Sequence, residues 1–141
     1  MMEERAAVAN ASEIGVLICD DLEAMRKLLR IVVELRPGLR VLGEACDGNE
    51  AVAEAGRLQP DVILLDLSMP GRTGFDALPE IAQVAPEAKV IVLSGFVAPT
   101  TARAVLALGA ARCIEKGASP GEIAAAIEEV AAKRLPVVPI E

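Results

Sequence analysis

The segment Val62-Ile63-Leu64-Leu65-Asp66 runs from an apolar stretch of strand length into a carboxylate, and then into the turn Leu67-Ser68-Met69-Pro70-Gly71-Arg72-Thr73-Gly74. Its apolar residues do not alternate with polar ones, the pattern of a strand covered on both faces, and Met-Pro-Gly is good turn chemistry. Working outward, the same design recurs at Ile14–Cys19, which leads into Asp20-Asp21, and at 89–93, which leads into Ser94-Gly95. Residues 40–46 and Arg112–Glu115 complete a set of five strand-length runs. Between and after them, 23–35, Gly48–Leu58, 75–84, 99–108 and 120–133 place apolar residues at the three- and four-residue spacing of helices. This alternation predicts an α/β doubly wound parallel sheet, with the runs at 14, 62 and 89 in its centre.

Local signals support the boundaries. Ser119-Pro120-Gly121-Glu122 reads as a capping box with proline at the first helical position, and Asp47 with Glu50 repeats the device. Pro79 is tolerated if the third helix begins near Phe75, because it then falls in the first turn. The expected organisation is a flexible tail at 1–13, one domain at 14–134, and a tail at 135–141. That last tail holds two prolines and either packs on the domain or begins a linker.

With 141 residues, 53% of them apolar, the chain can build one sizeable core. It has no His, Tyr or Trp, which excludes His-based triads, His-ligated metals and a phosphohistidine donor. A net charge of −7 and only two Phe argue against a base-stacking, phosphate-tracking nucleic-acid surface. Metal cations and basic partners are the expected company. Cys19, Cys46 and Cys113 are widely spaced in apolar runs and read as small buried hydrophobes in a reducing compartment. The first 13 residues lack the apolar core of a secretory signal, and no apolar run reaches the ~20 residues of a membrane span. A cytoplasmic location without membrane contact is therefore expected.

In a parallel α/β sheet, functional groups gather at the carboxyl ends of the strands. The predicted strands bring Asp20, Asp21, Asp66, Ser94 and Lys116 to that edge. Each has a plain reading: the acidic pair as a helix N-terminus, Asp66 as a strand end before a turn, Ser94-Gly95 as a turn, Lys116 as a solvated lysine. Together they point elsewhere. Converging carboxylates repel unless neutralised, and an oxygen-preferring cation such as Mg2+ does that. An ammonium and a hydroxyl beside such a centre suit an incoming phosphoryl group, with Asp66 as the nucleophile.

These residues, taken in order, resemble the response-regulator receiver domain of two-component signalling over roughly 14–134. The loop from Asp66 to Gly74 is similar to that family's D-x-x-M-P-x-x-x-G turn. The resemblance implies a flavodoxin-like (βα)5 fold with strand order 2-1-3-4-5. It also implies Asp66 as phosphoacceptor, Asp20 and Asp21 as metal-holding acids, Ser68 as donor of a backbone carbonyl to Mg2+, Lys116 as the phosphate's partner and Ser94 as the switching hydroxyl. Such a domain catalyses only its own phosphoryl uptake and loss. Its expected partners are a sensor histidine kinase or phosphotransfer protein upstream and a downstream protein or fused output domain, read through the face of the fourth helix, fifth strand and fifth helix. Val41-Leu42-Gly43-Glu44-Ala45 running into Asp47-Gly48, and Lys116-Gly117-Ala118-Ser119, resemble receivers of the NarL/FixJ type.

One position departs from the family. Where it usually carries Tyr or Phe, three residues before the lysine, this chain has Cys113, and Phe96 is the nearby ring that would substitute. Residues 97–108 carry one charged side chain, Arg103, and read either as an Ala-rich helix of good propensity or as a partner or homodimer surface. Two alternatives stay open: the receiver part of a helix-turn-helix DNA-binding regulator, whose output domain would lie past Glu141, and a phosphorylation-independent protein-interaction module.

Overall fold

The structure, a computed structural model, describes residues 13–134. The tails expected at 1–13 and 135–141 lie outside the described residues, save Glu13, whose carboxylate pairs with Arg40 at 3.7 Å. Strands and helices alternate as β1 (Ile14–Cys19), α1 (Glu23–Glu34), β2 (Leu39–Ala45), α2 (Gly48–Leu58), β3 (Val62–Asp66), α3 (Gly74–Val84), β4 (Lys89–Ser94), α4 (Pro99–Ala107), β5 (Arg112–Glu115) and α5 (Pro120–Arg134). All strand pairs are parallel, in the order β2-β1-β3-β4-β5. This is the flavodoxin-like doubly wound architecture expected.

Side-chain alternation along the central strands divides the core into two layers. Val16, Ile18, Leu64 and Ile91 face α1 and α5, where they meet Leu29, Val33, Ile123 and Ile127. Leu17, Ile63, Leu65 and Val92 face the other way, onto Ala51 and Ala55 of α2, Leu78 and Ile81 of α3, and Val105 of α4. Every residue of β3 is buried, which explains its unbroken apolar sequence. Among the described residues, no helix is long and apolar enough to cross a membrane.

Both expected capping boxes form. Ser119 Oγ accepts from the Glu122 N–H at 3.1 Å, and Glu122 Oε1 accepts from the Ser119 N–H at 2.8 Å. Asp47 Oδ1 accepts from the Glu50 N–H, while Glu50 Oε1 reaches back one residue further, to the Cys46 N–H. Two expectations need correction. Thr73 caps α3 through the Asp76 N–H, so the helix begins at Gly74 and Pro79 is its sixth residue, inside the helix and not in the first turn. The bond a residue there would donate to the Phe75 carbonyl is missing, yet the helix continues, held by buried Ala77, Leu78 and Ile81. Of the cysteines only Cys19 is buried; Cys46 and Cys113 are partly exposed.

The β1–β2 pairing carries a register shift. Val16 pairs with Val41, but Leu17 pairs with Gly43, so Leu42 is an extra residue. A slip of one residue reverses which face each side chain takes. Val41 and Glu44, three apart, therefore both face the α1 side.

Candidate functional site

The sheet order reverses direction between β1 and β3, so the carboxyl ends of these neighbouring strands open a crevice at the topological switch point. Asp20 follows β1 and Asp66 ends β3; they are the two buried charged residues of the described chain, 0% and 2% exposed. Asp21, beside them, is partly exposed. One carboxylate oxygen from each of the three lies within 4.8 Å of the others. Lys116, just past β5, brings its Nζ to 3.0 Å from Asp20 Oδ2 and 3.2 Å from Asp66 Oδ1. Its backbone N–H donates to the Ser94 carbonyl at 2.8 Å, which extends the β4–β5 pairing and aims the lysine across the sheet edge.

The loop after β3 holds Asp66 by local contacts. Asp66 Oδ1 accepts from the Ser68 N–H at 3.0 Å, an Asx-type turn, and Met69 is buried in the core and anchors the loop from below. Gly71, at φ +70°, occupies the left-handed region that a side chain disfavours. Gly74 is required for a different reason: a Cβ there would collide with the Asp66 carbonyl, and its N–H donates to Leu67 at 3.1 Å. The chain thus folds back onto the backbone of the acidic residue itself, which accounts for a glycine at that distance from Asp66.

Burial raises the Asp66 carboxyl above its ordinary value, and the Asp20 charge adds to this; the Ser68 N–H and Lys116 offset it only in part. For Lys116, burial pulls downward, but the two carboxylates outweigh it and its pKa is raised. The site holds more negative charge than its one ammonium neutralises. Asp66 Oδ2 is buried and has no hydrogen-bond partner among the described residues. Asp20 Oδ2 makes only the ion-pair contact with Lys116, without hydrogen-bond geometry. An oxygen-only set of carboxylates with an unpartnered buried oxygen fits a hard divalent cation such as Mg2+.

All five residues singled out in the sequence thus reach one edge, but Ser94 does not yet join the charged cluster. Its hydroxyl donates to the Phe96 carbonyl at 3.2 Å within its own loop. Ser68 is exposed and touches Asp66 through its N–H. Phe96 is 75% exposed, whereas Cys113 packs at the border of the α2–α4 core layer. Sequence reasoning missed Arg26. Its Nη1 donates to the Asp20 carbonyl at 2.7 Å, and its Nε donates at 2.9 Å to Glu44, a partner that the β2 register brings to this side.

The fold and this crevice define a receiver-type signalling module. The profile of the response regulator receiver domain matches residues 16–128, and the chain belongs to that family. Its members are the phosphoacceptor modules of two-component signalling, and bind Mg2+ at an acidic pocket of the kind described above. The transcriptional regulatory protein LiaR of Bacillus subtilis is 40% identical over 114 residues, 81% of this chain and 54% of LiaR. The chemotaxis protein CheY of Thermotoga maritima is 36% identical over 115 residues, 82% of this chain and 95% of CheY. Among solved structures, the receiver domain of a NarL regulator from Mycobacterium tuberculosis superposes with a TM-score of 0.82 at 28% identity, covering 86% of this chain and 98% of that one. The chain spans about half the length of LiaR and 95% of the length of CheY.

Proposed function

We propose that Asp66 is the residue that accepts the phosphoryl group. The donor is the phosphohistidine of a sensor histidine kinase or phosphotransfer protein, reached in the cytoplasm. A carboxylate oxygen of Asp66 attacks phosphorus, the new O–P bond forms as the donor's N–P bond breaks, and the electron pair returns to the imidazole nitrogen. Asp20, Asp21, Asp66 and the Ser68 carbonyl would hold Mg2+, which supplies charge neutralisation for the transferred oxygens. Lys116 sits where it can pair with the phosphoryl group once that group stands on Asp66. The Ser94 hydroxyl must leave the Phe96 carbonyl to donate to the phosphoryl oxygen, and in doing so it pulls on the loop that leads into α4. Water attack at phosphorus later returns inorganic phosphate and the free carboxylate.

The observation that carries this reading is the unpartnered buried oxygen of Asp66 between an acidic pair and a lysine. Incubation with acetyl phosphate and Mg2+, read by intact mass, tests it. Wild type should gain one phosphoryl group only when Mg2+ is present, and Asp66→Asn should gain none. Equal modification of both chains would refute it.

The LiaR coverage favours a second reading of the output: that this receiver serves a longer DNA-binding regulator rather than acting alone. A reading frame that continues past Glu141 into a helix-turn-helix supports that reading, and a stop codon there refutes it.

A further inference from the structure

We infer that Arg26, held by Glu44, is a positioning residue for the acidic pair: it fixes the Asp20–Asp21 peptide and thereby sets the site's affinity for Mg2+. This rests on the proposed metal-binding role of Asp20 and Asp21. The argument begins with the register shift in β2. Were the strand regular, Glu44 would face α2; the extra residue at Leu42 turns it to the α1 side instead. There its two oxygens separate two arginines of α1. Oε1 accepts from Arg26 Nε at 2.9 Å, and Oε2 accepts from Arg30 Nε at 2.9 Å, with Arg30 Nη2 at 2.7 Å.

The two arginines differ in what their remaining donors do. Arg30 Nη1 turns outward to Glu34, a surface pair at 3.2 Å. Arg26 Nη1 turns inward to the Asp20 carbonyl at 2.7 Å, and its side chain is the less exposed of the two, 18% against 39%. The guanidinium fork therefore spans from an edge strand to the peptide joining the two acids, a reach at fixed angle that an ammonium does not reproduce. Other bonds lock the same segment: the Asp20 N–H donates to the Ala45 carbonyl at 3.0 Å, and Asp20 Oδ1 accepts from the Leu22 N–H at 2.9 Å. Without Arg26 the Asp20 carbonyl loses its partner and only those two bonds hold the Asp20–Asp21 peptide, so both carboxylates are less firmly oriented before the cation binds. Contacts that orient metal-holding groups are worth about 10–100-fold in metal affinity.

The test compares the two arginines in the full chain. Mg2+ affinity is measured by calorimetry, and exchange of the Leu22 amide by hydrogen exchange in metal-free buffer. Arg26→Ala should weaken Mg2+ binding about tenfold and speed Leu22 exchange, and Arg26→Lys should rescue neither. Arg30→Ala removes bonds to the same glutamate yet should leave both readouts at wild-type values. If Arg26→Ala does not fold, Glu44→Gln takes its place, with the same direction and a smaller effect. Wild-type affinity and exchange in the Arg26 or Glu44 variant, or equal loss in Arg30→Ala, would overturn the inference. A wild type that binds no Mg2+ while Arg26→Ala still speeds Leu22 exchange would instead overturn the metal-binding reading and leave Arg26 as an anchor of the loop.

Discussion

The two sides of this sheet are built to different standards. At β1 and β3, every strand residue from Val16 on is buried, Asp20 is tied to β2, to α1 and to its own turn, and Gly74 presses the following loop against Asp66. At the opposite edge, β5 contains no fully buried residue, α4 buries a single side chain, Val105, and Cys113 lies where the family usually has a ring. The difference follows from what each side must do. Carboxylates that repel one another stay in place only if the backbone beneath them has no alternative, whereas a side with few buried residues moves at low cost, as the proposed function requires of the face that would report on phosphorylation.

The sharpest way to break this contrast is to cut each side's packing. Leu65→Ala in the central strand should cost about 2–5 kcal/mol, read by urea denaturation. Val105→Ala should cost about 1–2 kcal/mol, close to the transfer value of the two carbons removed, because no other residue of α4 is buried and the helix can settle around the gap. Equal costs would mean that α4 is anchored as firmly as the acidic half.

A smaller effect concerns the charges. Because the folded-state pKa of Asp66 is raised, protonated Asp66 favours the fold below the unfolded value near 3.8, and that contribution is lost as pH rises through the folded pKa. At neutral pH the ionised group is therefore a burden. Asp66→Asn in metal-free buffer should melt a few degrees higher than wild type at pH 7, and the gap should close as pH falls toward 4. A variant that melts lower at pH 7 would show that Asp66 is compensated by its neighbours after all. The smallest effect is expected at Cys113. Cys113→Tyr should leave phosphoryl uptake unchanged while slowing amide exchange in α4, because the larger side chain adds apolar contact at the border of the layer that holds Val105. Unchanged exchange would show that the missing ring does not loosen this side.

Much of the acidic half was legible in the sequence, because strand ends and turn residues are local features. The runs ending at Cys19 and Asp66 place Asp20, Asp21 and Asp66 on one edge without any knowledge of packing. Less local features were hidden. The register shift at Leu42 leaves the apolar pattern of β2 intact while reversing the face of Glu44, so the link from Glu44 through Arg26 to Asp20 was not readable. Pro79 lies past the first turn whether α3 begins at Gly74 or at Phe75, and the helix persists because its buried residues, which sequence spacing alone does not weigh against one missing helical bond, hold it. Ser94 ends β4, as the apolar run implies, but its hydroxyl's choice of the Phe96 carbonyl depends on a side-chain rotation that no sequence pattern encodes. Cys46 and Cys113 were expected to be buried, and their partial exposure reflects positions at the end of β2 and in the edge strand β5.

The most direct test of the account is to locate the phosphoryl group chemically. The chain is phosphorylated with acetyl phosphate and Mg2+, then treated with borohydride, which reduces an acyl phosphate to the alcohol and converts the modified aspartate to homoserine. Peptide mapping should find homoserine at position 66 alone, and none when Mg2+ is withheld. Homoserine at position 20 or 21, or an unchanged Asp66 in a chain that has gained a phosphoryl group, would contradict the account.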